Sequence, residues 1–508
     1  MSYNEKTFDQ KIETVQEPTH DMSQGEEVKL SQIDTMHNDE ALKVVVGYSG
    51  EASWTPEEEK RLVKKIDRRI LVIVVITFGV QFYDKYLFSH AALFGMRKDL
   101  HLSIGNRYSM AGSIFYLGYI LGAYPATFLA QRYRVNRVIF ALVLLWGIDV
   151  LSGGFCQTWR HLYVQRFFLG LLEAGMSPVW MMVIGGWYTK KEQTLRNGVW
   201  FAAASMVTIP APLINFGIGH IHGTLSPWRY MFIFAGSITI IWSLFIISCM
   251  DSDPVTAAHL NEREKYIAVS RLRKNNSGVR NTHFKGAQVL ETCMDIRFWL
   301  LVLISIGINT VTAVSTTFIP LIINLDLGFS GLNSLLLTMP VGVVGLIATI
   351  GSSWVVQRFS HRNFRVWSLC ISLLICMVMS LLIWQIPHMV AGAKLFVIYL
   401  LAFQSGAYAV LMSLTINNCA GYTKRSTMSA GNFVSPMTFL ESETPIYNTG
   451  WAFVMSMQSV SIVLALLYRF LVAHENKTRD AAGFSESFDH AFEDDQTDKS
   501  NMNFRYVY

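Results

Sequence analysis

Asp84 and Lys85 stand side by side within an apolar stretch, residues 70–92, that reads ILVIVVITFGVQFYDKYLFSHAA. A helix of about 23 residues at 1.5 Å per residue crosses a hydrocarbon core of roughly 30 Å. A charge at that depth costs about 2.5–3.5 kcal/mol on insertion scales, so one face of the helix must meet protein or trapped water. Thr77, Gln81, Asp84, Lys85 and Ser89 recur at helical spacing and supply that face. A carboxylate that takes up a proton, beside an amine that attracts an anion, is the chemistry of an ion-coupled pathway. The competing readings are a static ion pair, and a Lys85 side chain that extends to the outer surface.

A second apolar stretch, 162–187, carries Arg166 and Glu173. Glu173 lies about 16 Å along it by helix rise, near mid-bilayer. Arg166 is seven residues earlier, on nearly the same face two turns away. A guanidinium grips a carboxylate through two parallel hydrogen bonds. Arg166 is therefore a candidate to bind a substrate anion or to hold Asp84 or Glu173; a structural arginine in the outer leaflet is the plainer reading. Gly170, Ala174 and Gly175 are small enough to let another helix approach. Asn309, Thr316, Gln404 and Tyr408 are further candidates for substrate contact, although such polar groups more often knit helices together. Asp149 is another acid within an apolar run and is kept outside the candidate site.

The elements that position these residues are membrane helices. Of the 508 residues 51% are hydrophobic and only 16% charged, against about a quarter charged in an ordinary soluble domain. Twelve spans are expected: 70–92, 108–129, 137–156, 162–187, 197–220, 229–250, 298–323, 331–356, 364–386, 394–420, 427–440 and 450–472. A cytoplasmic N-terminus places Arg132/Arg134/Arg137, Lys190/Lys191/Arg196, Arg358/Arg362/Arg365 and Lys424/Arg425 inside, while most outer loops lack Lys and Arg. Arg97, Lys98 and Arg107 in the first outer loop run against this pattern. With an even number of spans both termini are cytoplasmic.

The parts outside the spans divide the chain further. Residues 1–59 carry 14 acids against 4 Lys/Arg, and 1–53 reads as a disordered acidic tail. Thr55-Pro56-Glu57-Glu58 is a helix-start signal, opening an amphipathic pre-helix over 54–69 expected to lie along the membrane face. The first bundle is 70–250, the linker 251–297, the second bundle 298–472 and the closing tail 473–508. In the linker, Asn261 to Glu264 reads as a capping box for a short amphipathic helix stopped by Gly278. Two glycosylation patterns, at Asn275 and Asn476, fall inside and are expected to be unused. The six cysteines show no metal or disulfide spacing, and the start of the chain has no signal-peptide pattern.

The two halves also repeat. Gln131-Arg132-Tyr133 after span two matches Gln357-Arg358-Phe359 after span eight, and Tyr188-Thr189-Lys190-Lys191 after span four matches Tyr422-Thr423-Lys424-Arg425 after span ten. Two six-helix bundles related in this way place a substrate site between them, near the midplane.

From Trp54 onward the chain resembles the major facilitator superfamily and, within it, the fungal allantoate permease family of anion:cation symporters. The stretches that carry the resemblance are EEEKRLVKKID, QFYDKYLFSHAALFGM, GSIFYLGYILGAYP, RFFLGLLEAGMSP, LRNGVWF, LNEREKYIAVSRLRKNNSGVRN, NNCAGYTKR, TFLESETPIYNTG and the closing FRYVY. The resemblance implies an all-α fold of two six-helix bundles and proton-coupled import of a small organic anion such as allantoate, nicotinate or pantothenate. It implies proton coupling at Asp84 and Glu173, substrate contacts from Lys85, Arg166, Gln81, Asn309, Gln404 and Tyr408, and gating loops at Arg132 and Arg358. Gln131 and Gln357 stand where the superfamily's gating motif usually has Asp, and Asp149 stands where the family usually has an aliphatic residue. The expected partners are the anion, the proton and the bilayer of the plasma membrane, with no cofactor, no metal, no nucleic acid and a monomeric chain. A drug-efflux antiporter would carry a Gly-Pro signature in span five that AAASMVTIPAPLINFGIG lacks. A nutrient sensor of the same fold usually carries an enlarged tail or loop, and no nucleophile–base pair or phosphate loop suggests an enzyme.

Span eleven departs from this family. Only the 15 residues STMSAGNFVSPMTFL lie between Arg425 and Glu441, and at 1.5 Å each they reach about 22 Å, short of the roughly 30 Å core. The resemblance implies that about ten residues are missing after Ser429. A misplaced exon junction or a decayed gene explains this, and poor transport by the chain as written is the expectation.

Overall fold

The computed structural model describes residues 48–50, 53–221, 223–274, 286–359, 363–386, 390–418, 447–483, 498–499, 502 and 504–508. Among the described residues the regular structure is helical throughout, and eleven helices are long and apolar enough to cross a membrane. They correspond to the expected spans one to ten and twelve. Span eleven, the linker stop at Gly278 and the Asn275 pattern lie outside the described residues.

The chain enters through α1, Pro56–Ile66, with the expected capping box. Thr55 Oγ1 accepts from Glu58 N at 3.2 Å and Glu58 Oε2 accepts from Thr55 N at 3.0 Å. This helix feeds directly into the first span. One π turn, Asp67–Leu71, carries it without a break into α2, Val72–Ala91, and the helical run is Pro56–Asp99. The reason is local: no Gly or Pro occurs between Pro56 and Gly79, and Leu62, Ile66, Ile70 and Ile73 continue one buried stripe across the junction.

The remaining N-half helices are α3 Arg107–Arg132, α4 Val135–Gly153, α5 Trp159–Glu173, α6 Met176–Trp187, α7 Lys190–Val207, α8 Pro210–Gly219 and α9 Pro227–Cys249. Helices α5 and α6 are two pieces of span four, and α7 and α8 two pieces of span five. Pro210 begins α8, where its missing N–H leaves no hydrogen bond unmade. The linker contributes α10, Glu262–Lys274, and α11, Gly286–Cys293.

The C-half is α12 Ile296–Thr317, α13 Ile319–Leu325, α14 Gly331–Leu336, α15 Met339–Arg358, α16 Arg365–Gln385, α17 Ala391–Leu400, α18 Gln404–Asn417 and α19 Asn448–Ala481. Helix α19 runs well past the expected end at 472. Residues 473–481 contain neither Gly nor Pro, and the helix stops just before Gly483, whose φ of 80° takes the left-handed region.

Two features bring the functional side chains inward. In α3 and α5 the backbones approach so closely that a Cβ on Gly118 would sit 2.1 Å from the Phe167 carbonyl oxygen, and one on Gly170 would sit 1.9 Å from that of Phe115. The halves meet through α3 and α12, where Tyr108 Oη donates to Thr317 O at 3.0 Å, and through α7 and α18, where Phe201 and Tyr408 pack edge to face at 5.5 Å.

Candidate substrate and proton site

Helices α3 and α5 touch at Gly118 and Gly170, and Arg166 and Glu173 lie one turn to either side of Gly170 on α5. Glu173, at 0% exposure, accepts from Gln81 Nε2 at 3.3 Å through its Oε2, and its backbone carbonyl accepts from the same nitrogen at 3.3 Å. The other carboxylate oxygen, Oε1, accepts no hydrogen bond. Asp84, at 1% exposure, accepts none at either oxygen. The indole N–H of Trp146 lies near it without completing one. Asp84 and Glu173 are close enough to act on one another electrostatically, and Lys85 and Arg166 both act on Glu173. Among the described residues none of these four forms an ion pair within 4.0 Å.

The two cations lie on aromatic faces. Lys85 Nζ sits 4.7 Å from the Phe82 ring centroid, 5.5 Å from Tyr119 and 5.8 Å from Phe115. It therefore points into the bundle, not to the outer surface. The Arg166 guanidinium lies 4.1 Å from the Phe88 centroid, with Nε and Nη2 buried and unbonded. Ring quadrupoles partly replace hydration for such cations and leave their N–H groups available to an anion.

Lys85 and Arg166 open onto a small cleft of about 20 Å³ lined also by Phe88, Phe115, Thr316 and Thr317. The first four belong to the N-half and the two threonines to α12, so the cleft lies between the halves, as the internal repeat implied. In this conformation it has room for about one water molecule. Of the expected substrate contacts, Lys85 and Arg166 line it. Gln81 instead binds Glu173. Asn309 Nδ2 donates to Ser305 Oγ on its own helix at 3.1 Å, and Gln404 Oε1 accepts from Thr312 at 2.8 Å, joining α18 to α12. Tyr408 packs on Phe201. Gln404 and Tyr408 join helices, Asn309 bonds within its own, and none of the three lines the cleft. Asp149 accepts from Gln165 Nε2 at 3.0 Å and acts electrostatically on Arg166. It stands at the edge of the same cluster.

Sequence reasoning missed a second buried network. Tyr83 Oη donates to Asn215 Oδ1 at 2.8 Å, and Asn215 Nδ2 lies 2.7 Å from His90 Nδ1, tying α2 to α8. The seven-residue spacing of Tyr83 and His90, on one helix face, was the available signal.

Arg132 and Arg358 are exposed and pair with no described residue. The ion pairs on the linker side come from elsewhere. Arg196 Nε and Nη2 donate to the two carboxylate oxygens of Asp67 at 2.8 and 2.9 Å. Arg271 of α10 donates to Glu192 at 3.0 and 3.1 Å, and to Trp187 O at 2.8 Å. Lys65 pairs with Glu264 at 2.7 Å and Arg263 with Glu58 at 3.1 Å. Together they bind the linker helix and the pre-helix to the N-half.

Two halves built of membrane helices, with Lys85 and Arg166 lining a cleft between them and two buried carboxylates nearby, have the architecture of a membrane transporter. The family profile described as Major Facilitator Superfamily matches residues 73–437, and the chain belongs to that superfamily. It is 36% identical to an uncharacterised transporter of Schizosaccharomyces pombe over 92% of this chain and 90% of the relative. It is 28% identical to the allantoate permease of Saccharomyces cerevisiae, with 92% and 90% covered. A thiamine pathway transporter of the same yeast is 29% identical, with 92% and 90% covered. Among solved structures, a bacterial homologue of the human lysosomal transporter Spinster, inward-facing and unoccupied, superposes with a TM-score of 0.57 at 16% identity. That match covers 82% of this chain and 97% of the other. A D-xylose–proton symporter gives 0.56 at 14% identity, covering 78% and 96%. At such identities these structures speak to the fold alone.

Proposed function

We propose that this protein is a proton-coupled symporter that imports a small organic anion across the plasma membrane. The observation that carries this reading is two kinds of unbonded buried group in one electrostatically coupled cluster: acceptor oxygens on Asp84 and Glu173, and the donor groups of Arg166, which with Lys85 lines the cleft between the halves. The first can take a proton without losing a bond. The second can take a carboxylate, with Arg166 offering Nε and Nη2 and Lys85 a point charge.

The cycle follows from charge. A proton on Asp84, which accepts no hydrogen bond, or on Glu173, which keeps one unbonded oxygen, removes a buried negative charge, and an anion between Arg166 and Lys85 neutralises the cations. With the cluster neutralised, less solvation is lost when the halves rock over the site. Inside, the proton leaves; the freed carboxylate then competes with the anion for Arg166 and Lys85 and expels it. One proton with one monovalent anion moves no net charge, so the proton concentration gradient drives that step, and each proton beyond the first gains about 2.3 kcal/mol per 100 mV of membrane potential. The allantoate permease is the relative whose named solute is itself an organic anion, and it supports the choice of substrate class. Both termini are cytoplasmic in this reading, and the chain works as a monomer.

The test is uptake of radiolabelled allantoate, nicotinate, pantothenate and biotin in a transporter-deficient yeast, with surface abundance measured alongside. Accumulation of at least one anion is the expected result. Abundant surface protein that moves none of the panel and binds none of it would overturn the proposal.

A further inference from the structure

The residues that close the chain, 504–508, lie against the linker-side ends of three C-half helices. Asn476, in the extension of α19, meets the backbone of Tyr506 twice: its Nδ2 donates to Tyr506 O at 2.8 Å and its Oδ1 accepts from Tyr506 N at 3.1 Å. Asn418, immediately after α18, does the same to Val507, donating to its carbonyl at 2.7 Å and accepting from its N–H at 2.7 Å. An asparagine amide offers a donor and an acceptor in one plane, so it matches a peptide unit as a neighbouring strand would. Two such contacts on consecutive residues fix both the position and the direction of the segment.

Tyr506 anchors it. The ring, 3% exposed, lies 4.3 Å from the Arg297 guanidinium and 4.9 Å from that of Arg479. Its hydroxyl donates to Asp498 Oδ2 at 2.8 Å. Arg297, in the first turn of α12, donates to Asp498 at 3.2 Å and to Asp295 at 2.8 Å. Arg479 donates to Phe504 O at 2.9 Å. The segment therefore connects α12, α18 and α19. Two of these, α12 and α18, meet the N-half, through Thr317 and Tyr408 respectively.

We propose that residues 504–508 form a permanent strap that holds the linker-side ends of α12, α18 and α19 as one body throughout transport. Asn418, Asn476 and Tyr506 are positioning residues for that movement and touch no substrate. Permanence follows from burial: detaching the strap would take the Phe504 carbonyl from Arg479, the Tyr506 ring from both guanidinium groups and the Tyr506 hydroxyl from Asp498, while Arg297 kept Asp295 and Asp498 and Arg479 kept Glu475. The inference rests on the transporter fold and is independent of which solute is carried.

Nitroxide labels on Met294→Cys and Asn417→Cys, in a background with the native cysteines replaced by serine, report the distance between the linker-side ends of α12 and α18 in purified full-length protein. Val507→Pro removes the N–H that Asn418 accepts and leaves every helix residue untouched. The expected result is one narrow distance in acid and in neutral buffer for the native strap, and at least a twofold broader distribution in the Val507→Pro protein. An Asn476→Ala variant, which breaks the other contact, should broaden it likewise. Two distances exchanging with pH in the native-strap protein would show that the strap opens, and unchanged widths in both variants would show that it positions nothing; either result overturns the proposal.

Discussion

At the scale of single residues, four side chains carry the account and each has a separable role. Gln81 is the one protein donor to Glu173's side chain among the described residues, so Glu173→Gln keeps the shape and removes the proposed proton site. The expected outcome is loss of net accumulation by more than about tenfold, as for removal of a general proton-transfer group, with counterflow exchange of preloaded anion retained. Measurement of both fluxes on the same cells checks it. Arg166→Lys keeps the charge and loses the planar fork, so the KM for the anion should rise about tenfold or more while surface abundance holds, given about 1.5–3 kcal/mol for a hydrogen bond to a charged group. These four residues were legible because a charge inside an apolar run has few places to go. Asn309, Gln404 and Tyr408 were not separable from substrate ligands in the sequence. Whether an amide faces a cleft or a neighbouring helix depends on helix rotation, which a single polar residue does not set.

At the scale of elements, the site depends on the glycine contact of α3 with α5. A methyl group on Gly170 would meet the Phe115 carbonyl at 1.9 Å, and backbone cannot yield as a side-chain tip can. Gly170→Ala should therefore destabilise the bundle by about 1–3 kcal/mol, the range for overpacking, and show as a lowered melting temperature of the detergent-solubilised protein. The same substitution at Gly79, where nothing lies within 4 Å of an added Cβ, should leave it unchanged. On the linker side, Asp67 and Arg196 form a two-point pair between the pre-helix and α7. Asp67→Asn and Arg196→Gln should each lower stability, and the double variant should lose less than the sum, by about 0.5–3 kcal/mol. The capping box at Thr55 and the small residues of α5 were readable from spacing alone. The continuity of α1 with α2 was also written there, in the absence of Gly and Pro. The linker ion pairs join residues up to 205 positions apart, and no local pattern announces them.

At the scale of the whole molecule, the repeat of loop motifs placed the cleft between two halves, and the lining of that cleft by α2, α3, α5 and α12 agrees. One feature of the chain remains at odds with this plan: the 15 residues between Arg425 and Glu441 reach about 22 Å as a helix, short of a roughly 30 Å core. We propose that this short segment limits assembly. Inserting about ten apolar, glycine-containing residues after Ser429 should raise surface abundance severalfold, and equal abundance with and without the insert would reject the idea. The central claim is that proton movement drives the anion inward through one cleft. Its most direct test is proton flux itself: purified protein in vesicles with an internal pH dye, given an inward gradient of each candidate anion and no pH gradient. The account predicts that the anion the protein carries acidifies the lumen, and that the Glu173→Gln protein leaves the dye unchanged. Anion entry with no acidification would contradict it.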